Sequence, residues 1–120
     1  MNRTLRVTLL ANQTADEATS QGIDVEGLTN LTFYLIGTGT LDSGSVTYEE
    51  STDSPTAPDS PYSAGTWSII GSAVAANDVT GGKQKATRAT AGAYHRVRAR
   101  IDTVIAGAGG SVSVVLVASE

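Results

Sequence analysis

Apolar and polar side chains alternate along most of this chain with a period of two. In Arg3 to Ala11, Leu5, Val7 and Leu9 fall on one side and Arg6 and Thr8 on the other, with Leu10 interrupting the polar side. That alternation predicts a half-buried strand, because successive side chains of an extended backbone point to opposite faces. Gln21 to Glu26 repeats it briefly, with Ile23 and Val25 inward and Gly27 as the turn. Asn30 to Thr38 is different: Leu31, Phe33 and Leu35 share one face, but Tyr34 and Ile36 occupy the other. A strand apolar on both sides is central in its sheet or covered by a partner.

The glycine-rich stretch Gly37 to Gly44 leads into Gly44 to Ser51, where Val46 and Tyr48 point in and Thr47 and Glu49 point out. Two successive strands across such a link read as a hairpin with a wide loop. Residues 51–64 carry Pro55, Pro58 and Pro61 among Ser, Thr and Asp, and are expected to form an exposed loop, since proline supplies no ladder donor. Trp67, Ile69 and Ile70 follow in Gly65 to Ser72, with the sole tryptophan expected to anchor the core. Ala73 to Ala76 could form one helical turn, and Gln84 to Thr90, preceded by Gly81-Gly82, suits an edge strand guarded by Lys83 and Lys85.

Tyr94 to Ile105 is the clearest strand, with Val97, Ala99 and Ile101 on one face and Arg96, Arg98 and Arg100 on the other. Ala106 to Gly110 reads as a hairpin turn into Ser111 to Ala118, where Val112, Val114 and Leu116 point inward. Val115 and Val117 make the opposite face apolar as well. Seven to nine short strands without a long helix predict an all-β fold, an antiparallel β-sandwich or jelly roll spanning residues 1–120 as one domain. Thr, Val and Ile, which extend easily and crowd a helix, account for 33 of 120 residues.

Charge and composition narrow the chemistry. Eight basic against twelve acidic residues leave a net charge of −4, which argues against nucleic acid, because that partner demands clustered positive charge. No apolar run is long enough to cross a bilayer, and Met1 to Ala11 lacks the form of a secretory signal, so no membrane partner and synthesis in a cytoplasm are expected. Asn-x-Ser/Thr triplets at Asn2, Asn12 and Asn30 then carry no glycosylation. Absent cysteine excludes a disulfide scaffold, a zinc ribbon and a thiol nucleophile.

Catalytic patterns fail one by one. Gly37-Thr-Gly39 opens a dinucleotide-type motif, but Asp42 stands at the third glycine position, and Gly44 is followed by Ser45 rather than the lysine of a P-loop. There is no Gly-x-Ser-x-Gly elbow, and His95 shares a strand face with Val97. Thr14 to Glu17 matches a helix capping box with no apolar period after it, so a loop or single turn is expected there. Glu49 and Glu50, adjacent on a strand, face opposite ways, and Asp53 and Asp59 lack the spacing of a calcium loop. No enzyme activity, metal or cofactor is expected.

One polar constellation stands out. Arg96, Arg98 and Arg100 lie about 7 Å apart in succession, two strand rises each. Two readings stay open: a solvated row neutralised by Asp102 and cross-strand residues such as Glu49, or a contact surface where planar guanidinium groups select carboxylates. Without interleaved aromatics it makes a poor nucleic-acid site.

The string Asn30-Leu-Thr-Phe-Tyr-Leu through Gly37-Thr-Gly-Thr-Leu-Asp-Ser-Gly-Ser-Val-Thr-Tyr-Glu-Glu50 carries a further signal. With Gly65-Thr-Trp-Ser-Ile69, Tyr94-His-Arg-Val-Arg-Ala-Arg-Ile101 and Ser111-Val-Ser-Val-Val-Leu116, it resembles small β-sandwich virion structural proteins of tailed bacteriophages. Among these it looks most like capsid decoration, or cement, proteins, over about Arg6 to Ala118. The resemblance implies no catalytic residues. It implies a protein on the capsid surface of the virion, bound to the major capsid protein lattice, stabilising it, and often a homo-oligomer such as a trimer. Candidate contact residues are Arg96, Arg98 and Arg100, together with Leu31, Tyr34, Ile36, Val115 and Val117 of the doubly apolar strands. A tail or fibre component, such as a carbohydrate-binding module, is the alternative, for which Tyr62 is the obvious loop aromatic.

Overall fold

A computed structural model describes residues 4–15, 18–25, 27–51, 67–90 and 96–120. Their strands are β1 (Thr4–Gln13), β2 (Ile23–Asp24), β3 (Asn30–Thr38), β4 (Ser43–Ser51), β5 (Trp67–Ile69), β6 (Val74–Ala75), β7 (Gln84–Thr90), β8 (Arg96–Ala106) and β9 (Ser111–Ser119). A 3-10 turn at Ala76–Val79 precedes β7, three residues beyond the helical turn expected at Ala73. The strands form two antiparallel layers: a four-stranded sheet in the order β1-β9-β3-β7, and a five-stranded sheet in the order β2-β8-β4-β5, with β6 also on β4. The fold is an all-β antiparallel sandwich.

Alternation explains what lies between the layers. β3 contributes Leu31, Phe33 and Leu35, and β9 contributes Val112, Val114, Leu116 and Ala118. Val46 and Tyr48 of β4 meet them from the other side, with Val97, Ala99, Ile101 and Ile105 of β8. The Phe33 and Tyr48 rings stack across the gap, centroids 4.3 Å apart and planes 11° from parallel. Such a pair adds attraction beyond the area it hides from water. Leu10, the residue that interrupts the polar side of β1, is explained by a bulge: the register shifts between Thr8 and Leu10, and Leu10 turns into the core.

Two expected hairpins are in fact arches between layers. β3 lies in the four-stranded sheet and β4 in the five-stranded one, and β8 and β9 are separated in the same way. Packed sheets lie about 10 Å apart, a span four linking residues can cover, and arch and hairpin both need glycine, so the sequence pattern does not tell them apart. The arches lock together: the Thr40 amide donates to the Ala108 carbonyl at 3.2 Å and the Asp42 amide to the Ala106 carbonyl at 2.8 Å. A Cβ on Gly107 or Gly110 would fall 2.0 or 2.3 Å from the Thr40 carbonyl oxygen, so only glycine permits this approach.

Several readings fall outside the described residues: the Pro-rich loop of 51–64 beyond Ser51, Tyr62, His95, Asp53, Asp59, and the Asp16-Glu17 half of the capping box.

Candidate interaction surface

The outer face of the β1-β9-β3-β7 sheet is built rung by rung. Strand pairing lines up Arg6, Val117, Thr32 and Arg88 across the four strands, and next to them Thr8, Val115, Tyr34 and Ala86. Ser113, Ile36 and Gln84 make a third rung. On the central strands β9 and β3, Val115, Val117, Tyr34 and Ile36 are half-buried by their neighbours, whereas Arg6, Gln84 and Arg88 on the edge strands stand exposed. A shallow groove of about 370 Å³ runs over this face, lined by Arg6, Tyr34, Ile36, Gln84, Val115 and Val117. Four of the sequence candidates thus come together in one surface.

Leu31 does not belong to it. At 1% exposure it lies between the layers, and a side chain with no surface cannot touch a partner. Arg6 and Gln84 are the residues that sequence reasoning missed. Arg6 was legible as a polar-face residue of β1, but its nearness to Val117 follows from β1 pairing with β9, a contact between opposite ends of the chain.

The arginine row lies on the outer face of the other sheet and is far less solvated than a free surface row. Thr47 and Glu49 point outward from β4, yet are buried, at 1% and 7% exposure. β4 is flanked along its length by β8 on one side and by β5 and β6 on the other, so even its outer side chains are crowded by neighbours. Arg98 Nε donates to Glu49 Oε1 at 2.7 Å, and its guanidinium lies 4.2 Å from the centroid of the Trp67 ring. Trp67 is therefore an outer-face residue that covers an ion pair and not a core anchor. Arg100 donates to Asp102 at 3.3 Å. Arg96, at 4% exposure, offers a partner almost nothing to touch. The row as a contact surface thus shrinks to the visible parts of Arg98 and Arg100.

Beneath the outer layers, the Tyr48 hydroxyl has no hydrogen-bond partner among the described residues, and burial pushes its phenol well above the ordinary value of 10.0. Among the described residues no three acidic or histidine side chains gather as metal ligands.

Fold and surface together define a two-layer β-sandwich with a partly apolar outer groove. The SPBc2 prophage-derived protein YomS has a similar fold: its crystal structure aligns over 100% of this chain and 96% of its own, with a TM-score of 0.59 and 12% sequence identity. No family model and no curated protein matches the sequence.

Proposed function

We propose that this chain is a structural protein of a tailed-bacteriophage virion, and within that class a decoration protein that binds the outside of the assembled capsid and stabilises it. The observation that carries this reading is the row Tyr34, Ile36, Val115 and Val117, kept half-open to water on a rigid sheet face. Contiguous apolar surface of that kind marks a binding site. The fold shared with a prophage-derived protein supports the phage setting, as do the strand and turn signatures of the sequence.

The mechanism is mass action. A protein that binds only the assembled lattice lowers the free energy of that state relative to loose subunits, by RT ln(1 + [L]/Kd) per site. A weak contact repeated over many lattice positions suffices, and no bond is made or broken. On this reading the chain is not an enzyme, needs no cofactor, is made in the host cytoplasm and ends on the virion surface, with copies grouped as a homo-oligomer around local symmetry axes.

The test is to mix the purified protein with undecorated capsids and image them by cryo-microscopy. Regularly spaced extra density on the outer shell is expected. Absence of binding, or density at the tail, would replace this reading with the tail or fibre alternative.

A further inference from the structure

The chain is acidic overall, yet the face carrying the groove is not. On the three rungs the charged residues are Arg6 and Arg88. The described carboxylates lie elsewhere: Asp24 in β2, Glu49 and Glu50 in β4, Asp102 in β8, Asp42 in the first arch, Asp78 in the 3-10 turn, and Glu120 past the end of β9. Neither Arg6 nor Arg88 forms an ion pair with a described residue. They share one rung, at opposite edges of the sheet, with Val117 and Thr32 between them. Three strand spacings set their backbones about 14 Å apart.

We propose that this face docks a protein surface that is apolar at its centre and bears carboxylates about 14 Å apart at its flanks, on a partner other than a second copy of this chain. Charge weighs against self-pairing. Two copies stacked about an axis along the strands would set Arg6 of one against Arg88 of the other at both flanks. The other outer face offers no net acidic complement either, since Asp24, Glu49 and Asp102 there are matched in number by Arg96, Arg98 and Arg100. Size points the same way. Four strands and the five residues from Thr32 to Ile36 define a patch of roughly 19 by 17 Å, about 320 Å². Two such patches would bury about 650 Å² together, against about 1,200 Å² for the smallest stable pairwise interfaces. Such a patch serves where many copies attach to a repeating partner, so the inference rests on the capsid-binding reading for the identity of that partner, the acidic partner surface being a capsid subunit.

The experiment compares the full-length protein with Arg6→Glu/Arg88→Glu, with Tyr34→Ser, and with Val104→Glu, whose site is exposed on the opposite sheet, after circular dichroism shows each folded. Binding to undecorated capsids should weaken at least tenfold for the double charge reversal and for Tyr34→Ser, and stay unchanged for Val104→Glu. Raising salt should weaken the wild type more than Arg6→Gln/Arg88→Gln. Equal binding by the charge-reversed protein would overturn the inference while leaving capsid attachment standing. An oligomer of the free protein that Tyr34→Ser dissolves would overturn it too, by making a second copy the occupant. Should the wild type not bind capsids, the functional reading fails, and the face is read by amide chemical shifts with two probe peptides. Acetyl-Glu-Leu-Val-Glu-amide should shift Arg6, Tyr34, Ile36, Val115 and Val117 more than acetyl-Lys-Leu-Val-Lys-amide. Equal or absent shifts would end the proposal.

Discussion

Replacing Tyr48 with phenylalanine removes one oxygen from the middle of the core and should stabilise the protein. The Tyr48 side chain is fully buried and stacked on Phe33, and its hydroxyl has no partner among the described residues. Burying a hydroxyl without a hydrogen bond costs about 1–3 kcal/mol. The ring stack survives the substitution and only the oxygen's dispersion contacts are lost, so a net gain of about 1 kcal/mol is expected. With an unfolding entropy of about 2.1 cal/mol/K per residue, a chain of 120 residues gains roughly 4 °C in Tm. A second readout follows from the raised phenol pKa. The unfolded phenol ionises near pH 10 while the folded one keeps its proton. The stability this group contributes is therefore complete below pH 10 and falls above it, by up to about 1.4 kcal/mol per pH unit. Urea denaturation from pH 7 to 11 should show Tyr48→Phe ahead at neutral pH and further ahead with each step above pH 10. A variant less stable than the wild type by more than about 0.5 kcal/mol at pH 7 would mean that the hydroxyl is hydrogen-bonded. Parallel alkaline curves would mean that the phenol is not desolvated.

Gly110→Ala should cost about 2–3 kcal/mol in denaturant titration, because its Cβ would fall 2.3 Å from the Thr40 carbonyl oxygen and 2.8 Å from Leu41 Cδ2. Glu49→Ala leaves Arg98, which is only partly exposed, without its carboxylate, and should lose about 1–2 kcal/mol, with Glu49→Gln losing less, as measured by the midpoint of chemical unfolding. Leu31→Ala should cost about 3 kcal/mol and Val117→Ser less than about 1, by differential scanning calorimetry; equal losses would contradict the assignment of inner and outer faces.

Strand existence and inward faces were legible because period-two alternation is a local property. β3 has the bounds its pattern implies, and Leu31, Phe33 and Leu35 face the core. What escaped depends on which strand lies beside which. Glu49 reads as solvated on its own strand and becomes buried only because Arg98 and Ile69 flank it in the sheet. Trp67 has the size of a core residue, but its register opposite Ser51 sets it on the outside, over Arg98. The arches were misread for the same reason, as layer membership is a long-range fact. For the groove, the apolar half was visible in the alternation of β3 and β9, whereas the flanking arginines required knowing that β1 and β7 bound them.

The strand latest in chain order is inserted between the first and the third. β1 and β3 make no pairing with each other, so the four-stranded layer has no native seam through its middle until β9 arrives to supply one on each side. Partial assembly from the amino-terminal side gains little, and closure is a late, single event with high contact order, slow on the scale of small domains. During synthesis the half-made layer presents two unpaired strand edges, open to pairing with other chains until β9 is made.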